Sequence, residues 1–358
     1  MPKPRLPLRA PPDSVCILRL SAVGDICHTL PAVRALQDHW PDTRLTWVIG
    51  RVEHGLVGDI PGIEFITFDK SQGWRAYREL RRALRARRFD VLLHMQMSLR
   101  ASLASLVIPA RLRMGFPRRY AKDMQWLFTN CTAREQENPH VMDSLMNFVT
   151  TLGVPAGTPR WDIPLPAPAR EFAAVHLPGD RPALVISPCS SMAYRNWTVA
   201  GYAAVADHAV EDHGMQVILC GGPSTFEADF AAAIQTAARA PLDNLVGQTD
   251  LKQLAALLAR ARVVLAPDSG PAHLATAVGT PVIGLYAATN PERAGPWRDR
   301  HHVVSRYAEA IQARYGKMPA QLGPRLPWGT RVRDAGTMAR ITPEEVCTML
   351  DRVLAETP

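Results

Sequence analysis

Short apolar runs separated by stretches of helical period set the rhythm of this chain. Residues 15–20, 44–49, 63–68 and 91–95 read as strands, with helices over 26–40 and 75–87. Pro31 has to sit in the first turn of the first helix or kink it. Prolines 155, 159, 164, 166, 168 and 178 interrupt the pattern between 153 and 182, where little regular structure is expected. It then restarts with strands at 183–186, 216–219 and near 245–246, and helices at 199–211, 227–238 and 251–261. Residues 263–267 form another buried strand, followed by a turn, a short helix closed by Gly279 and a strand over 281–286. Such alternation predicts an α/β fold with right-handed crossovers and parallel sheets. The expected layout is a domain over 1–160, a proline-rich linker over 161–182, a second domain over 183–340 and a last helix within 341–358, capped by Thr342. Two similar halves on a hinge imply a ligand cleft between them. Residues 314–333, rich in proline, glycine and basic side chains, read as a mobile loop or an extended strap.

The strand tips carry the candidate chemistry. Asp268-Ser269-Gly270-Pro271-Ala272-His273 ends a buried strand in a carboxylate, an N-cap serine and a histidine, and a helix starting there presents free N–H groups to an anion. Ser190, Ser191 and Arg195 precede a helix capped by Thr198, so hydroxyls can grip oxygens while the guanidinium neutralises charge. Gly221 and Gly222 allow close backbone approach at the next tip; Glu227 beyond them is either a ribose acceptor or a first-turn helix carboxylate. Ser21-Ala22-Val23-Gly24-Asp25 opens the first helix, and Asp25 is either a general base or a helix cap. This turn lacks both the dinucleotide fingerprint and the P-loop lysine, which weighs against a nicotinamide-dependent oxidoreductase or epimerase and against an NTPase.

With 358 residues, 47% hydrophobic and 21% charged, the chain fits two globular domains. No apolar run approaches a membrane span, and the first dozen residues lack the apolar core of a secretory signal, so a cytoplasmic protein is expected rather than an exported solute-binding protein. Six scattered cysteines without zinc-site spacing read as reduced thiols, and no metal is expected. The net charge of +8 concentrates in Arg75, Arg78, Arg81, Arg82, Arg85, Arg87, Arg88, Arg100, Arg111, Arg113, Arg118 and Arg119. That run fits an anionic partner, although helical spacing over 76–88 also fits a solvated helix face. No nucleic-acid motif accompanies the arginines, so nucleic acid is not expected as a partner.

Together the motifs S-A-V-G-D-I-C-H-T-L-P-A, S-S-x-x-x-R-N-W and D-S-G-P-A-H-L-A-T-A-V-G-T-P-V-I-G-L-Y, in this order along nearly the whole chain, resemble those of the ADP-heptose:lipopolysaccharide heptosyltransferases. The resemblance implies two facing Rossmann-like domains of the GT-B type and an inverting glycosyltransferase; because a helix dipole and an arginine can replace a divalent ion at the diphosphate, no cofactor is expected. It also implies an ADP-heptose donor in the second half and an anionic lipid A-linked core acceptor, either Kdo-lipid A or heptosylated core, in the first. By motif, Asp25 matches the base, and Arg195 matches a position usually held by a phosphate-binding lysine. Ser190 and Ser191 match hydroxyls at the diphosphate, Asp268 the residue on the sugar hydroxyls, and Ser269, Gly270 and His273 the turn around the phosphates. Glu227 is a looser match. An acceptor of this kind would meet a patch of Arg75, Arg78, Arg100, Arg118 and Arg119, and the same charge would hold the enzyme transiently to the cytoplasmic face of the inner membrane. The arginine at 195 keeps the lysine's charge but changes the geometry.

Overall fold

The computed structural model describes residues 6–356, and the chain divides into two compact units, Met1–Pro164 and Leu165–Pro358. The first unit runs β1 (Ser14–Leu18), α1 (Val23–His39), β2 (Arg44–Gly50), α2 (Arg51–Val57), β3 (Ile63–Phe68), α3 (Trp74–Leu84), β4 (Phe89–His94), α4 (Leu99–Leu106), β5 (Ala110–Gly115), β6 (Cys131–Thr132) and α5 (Val141–Leu152). Its six strands are all parallel in the order β3-β2-β1-β4-β5-β6. Ile17 in β1 lies opposite Trp47 on one side and Leu93 on the other, all fully buried, which is why these strands read as continuous apolar runs.

The second unit runs α6 (Ala167–His176), β7 (Ala183–Ile186), α7 (Val199–Glu211), β8 (Gln216–Leu219), α8 (Thr225–Ala237), β9 (Asp243–Asn244), α9 (Leu251–Arg260), β10 (Val263–Pro267), α10 (Gly270–Val278), β11 (Val282–Tyr286), α11 (Pro291–Ala294), β12 (Val303–Ser305), α12 (Tyr307–Tyr315), α13 (Pro319–Leu322) and α14 (Pro343–Glu356). Its sheet, β12-β11-β10-β7-β8-β9, is again all parallel, with its first strand beside its fourth. Both units therefore follow one Rossmann-type plan. In each, the order reverses between the first and fourth strands, the place where such sheets bind ligands.

Two expectations need correction, and a third is narrowed. The linker expected over 161–182 contains α6, which packs against α9, while Trp161 is buried in the first unit. The prolines misled because Pro166 and Pro168 occupy the N-cap and first turn of α6, where the missing N–H costs nothing. Of the two alternatives for Pro31, the first turn is excluded, because α1 starts at Val23 and the proline lies in its interior. The final helix does not stand apart: Val346, Leu350 and Val353 of α14 join the core of the second unit beside Val205 and Ala209 of α7.

The 314–333 stretch is a strap. Val332 N–H donates to the Ala288 carbonyl at 2.9 Å, Thr289 and Arg331 form a bridge, and Tyr307 Oη donates to the Thr330 carbonyl at 3.0 Å. Val332 packs with Tyr307, Ala310 and Ile311, and Leu322 and Leu326 cover them. Among the described residues, no helix is long and apolar enough to cross a membrane.

Candidate active site

In the first unit the switch point lies between the tips of β1 and β4. Arg19, buried just past β1, forms an ion pair with Asp25. The same guanidinium donates to the carbonyl of Met95 and, at 3.1 Å, to that of Ser21. Gln96 fastens the tip from the β4 side, its Oε1 accepting from Leu20 N–H at 2.6 Å. Asp25 sits in the first turn of α1 and accepts from Ala22 N–H at 3.2 Å, yet its side chain remains 37% exposed. It is thus both a local helix anchor and a carboxylate open to an incoming group. Arg19 and Gln96 went unnoticed in the sequence; the signal available was a charge at the end of an apolar run.

The corresponding point in the second unit lies between β7 and β10. Arg195, in a single 3-10 turn, places Nη1 3.2 Å from Asp268 Oδ2 and donates to the Asp268 carbonyl at 3.2 Å. His273 Nε2 lies 3.9 Å from the other carboxylate oxygen. Burial pushes the Asp268 carboxyl up, but His273, the Arg195 charge and Thr289 together hold it below the usual range. Ser269 occupies the N-cap position of α10 with extended backbone, as the sequence predicts, but its hydroxyl makes no capping bond. Ser269 Oγ and Arg195 Nε are buried without a hydrogen-bond partner, as are Tyr194 Oη and Asn196 Nδ2. Four unpartnered polar atoms on residues flanking one strand junction are costly to leave dry, and they fit a polar ligand that satisfies them.

Ser190 faces this turn: its N–H donates to Asn196 Oδ1 at 2.7 Å, and its hydroxyl accepts weakly from Met192 N–H at 3.4 Å. Ser191 is exposed, and Gly270 opens α10. Thr198 caps α7 as expected, accepting from Gly201 N–H at 3.0 Å. Glu227 is engaged locally, accepting from Gly222 N–H at 2.6 Å and from the Ser224 hydroxyl at 3.3 Å. A Cβ at Gly221 would come within 2.7 Å of that carboxylate, so the glycine permits the approach.

Two further residues of this unit were not visible in the sequence. Tyr194 has two guanidinium groups over its ring, Arg195 5.6 Å and Arg333 5.4 Å from the centroid. Arg333 arrives on the strap, and Thr289, the strap's bridge partner, also steadies Asp268.

The arginine-rich run divides. Arg75 and Arg78 are exposed on α3, Arg100 is exposed on α4, and Tyr77 Oη donates to the Arg100 carbonyl at 3.4 Å. Arg118 stacks 5.0 Å over Trp126, and Arg119 lies 4.0 Å from Glu135. Arg75 is paired with Glu79 at 2.8 Å. Arg87 and Arg113 leave the candidate surface: Arg87 grips Glu64, and Arg113 turns inward to the carbonyls of Ser105, Ile108 and Phe128. Trp74, at the start of α3, and Leu127 are also exposed.

Residues 77–320 match glycosyltransferase family 9, the heptosyltransferases. The chain belongs to this family. It is 41% identical to the lipopolysaccharide core heptosyltransferase OpsX of Haemophilus influenzae over 96% of this chain and 97% of that one. It is 24% identical to the Escherichia coli K12 lipopolysaccharide heptosyltransferase 3 over 83% of this chain and 88% of that one. Among solved structures, a family 9 glycosyltransferase from Veillonella parvula superposes with a TM-score of 0.78 at 21% identity, covering 96% of this chain and 97% of that one. The E. coli heptosyltransferase WaaC with ADP gives 0.72 at 19% identity over 95% and 99%. The chain is therefore a glycosyltransferase of the heptosyltransferase family, built from two Rossmann-like domains.

Proposed function

We propose that this glycosyltransferase moves heptose from ADP-heptose to a hydroxyl of the lipopolysaccharide inner core, with inversion at the anomeric carbon. The observation that carries the reading is the buried Arg195–Asp268 pair at the start of α10, beside the unpartnered Ser269 Oγ and Arg195 Nε. A diphosphate there meets the guanidinium, the N-terminal N–H groups of α10 and the Ser190 and Ser191 hydroxyls. Charge builds on this diphosphate as the glycosidic bond breaks, so donors already in place lower the barrier. Arg333 adds a second guanidinium at the Tyr194 ring. Asp268, held ionised by its neighbours, accepts from the sugar hydroxyls. Asp25 takes the proton from the attacking acceptor hydroxyl. The E. coli relatives solved with ADP and with ADP-2-deoxy-2-fluoro heptose support the nucleotide-sugar donor.

An acceptor carrying phosphates and carboxylates suits the exposed Arg75, Arg78, Arg100, Arg118 and Arg119, and the exposed Trp74 and Leu127 suit transient contact with an anionic membrane surface. The test is release of ADP from ADP-heptose, with and without a deacylated Kdo-containing core acceptor and with and without chelator. Release that depends on the acceptor and survives chelation is expected; no release with intact protein and either core acceptor overturns the reading.

A further inference from the structure

Away from the strand tips, α7 and α14 of the second unit gather a donor set with no part in the proposed transfer. His208 lies near the end of α7, His213 in the turn that follows, and Asp351 on α14. Nε2 of His208 and Nε2 of His213 each lie 2.7 Å from Asp351 Oδ1, and all three atoms fall within 4.8 Å of one another. The rings stand at 86° with centroids 5.0 Å apart, so both nitrogens reach the carboxylate without stacking. On its far side His208 Nδ1 is 2.6 Å from Asp212 Oδ2.

We propose that His208, His213 and Asp351 bind one divalent transition-metal ion of the zinc, cobalt or nickel class, which fastens α14 to α7. Two imidazoles and one carboxylate form a borderline donor set that suits these ions better than magnesium or calcium. Ligand atoms around a tetrahedral zinc ion with bonds of about 2.0–2.2 Å stand roughly 3.3 Å apart, so opening the trio by about half an ångström admits the ion. Asp212 supplies the outer support that metal-binding histidines usually have: with Nδ1–H donating to this carboxylate, the Nε2 lone pair of His208 faces the site. With both rings neutral, the two aspartates leave a local charge that a divalent cation cancels. The half-exposed position of Asp351 leaves room for water as a fourth ligand. The competing arrangement is hydrogen bonding alone, with an imidazolium between two carboxylates.

The test uses the full chain, stripped with chelator and dialysed, then titrated with Zn²⁺ in calorimetry and with Co²⁺ in visible absorption. The wild type is expected to take up one equivalent at this site, show the ligand-field bands of four-coordinate cobalt, and melt at higher temperature with zinc. His213→Gln and Asp351→Asn, on different elements, should each lose that equivalent while their metal-free circular dichroism matches the wild type. Asp212→Asn should weaken binding roughly 10- to 100-fold without abolishing it. His301→Gln, in the separate His301–His302–Glu356 group, should leave the equivalent in place. Equal uptake by the wild type and the site variants, or none by the wild type, overturns the proposal in favour of the hydrogen-bonded arrangement. Acceptor-dependent ADP release is a separate readout, so the metal site and the transferase reading can fail independently.

Discussion

The indole N–H of Trp161 donates to the carbonyl of Cys27 at 2.7 Å, and Cys27 is the residue whose helical donor Pro31 removes. A proline inside a helix leaves the carbonyl four residues earlier without its N–H, and this one is buried. The segment leaving the first unit thus repairs the helix that carries Asp25. Arg34 strengthens the tie by donating to the Trp161 carbonyl at 3.0 Å. Replacing Trp161 by Phe keeps most of the packing and removes the donor. We expect a loss of roughly 1–3 kcal/mol in urea unfolding, and unchanged stability would show that the carbonyl finds another partner.

Asp25→Asn preserves the shape of the β1 tip and gives Arg19 an amide oxygen to hold, but it cannot take a proton. The expected result is a fall in kcat of roughly 10²- to 10⁴-fold with ADP affinity and melting temperature close to wild type. Full turnover by this variant would reduce Asp25 to the helix anchor that its bond to Ala22 N–H already makes it.

Arg195 and Arg333 both lie over one tyrosine ring, but only Arg195 is tied to the buried Asp268. ADP binding measured by calorimetry should weaken roughly 10- to 100-fold in Arg195→Ala and about fivefold in Arg333→Ala, in keeping with a charge-assisted bond and a more exposed charge. Both losses should shrink as salt rises. An Arg333→Ala variant with wild-type affinity would confine the role of the strap to packing.

Burial pushes the Asp299 carboxyl up to about 6, against the pull of His302 and Arg298. Its folded-state value thus lies above that of the unfolded chain, so the native state holds the proton more tightly. Its stabilising contribution is complete below about pH 4 and is lost as pH rises through about 6. Asp299→Asn should remove this slope and, above about pH 7, stabilise the protein relative to wild type by on the order of 2 kcal/mol. Parallel curves of melting temperature against pH for the two proteins would contradict it.

What could be read from the sequence was local. The β10–turn–α10 segment announced itself because an apolar run, a serine and a proline in the first helical turn agree with one another, and the run over 183–186 did likewise. The element α6 was hidden because its prolines look like breakers until their position in the first turn is known. Residues 110–115 alternate polar and apolar side chains with Arg113 turned inward, so β5 lacked the apolar signature of β1 and β4. Contacts across long stretches of chain left no periodic trace: Trp161 with Cys27, Arg333 with Tyr194, and the two histidines with Asp351. In the candidate site, residue types at the strand tips were legible, while the missing capping bond of Ser269 and the engagement of Glu227 with Gly222 depend on side-chain geometry.

The repeated strand order gives Asp25 and Arg195 equivalent addresses, each following the first strand of its own sheet. Each sheet has its own hydrogen-bond ladder and its own buried side chains. Substitutions that retune one tip therefore need not disturb the scaffold beneath the other. Such a chain is modular in the evolutionary sense: a lineage can rewrite the loops on one platform while the strand tips of the other are inherited intact.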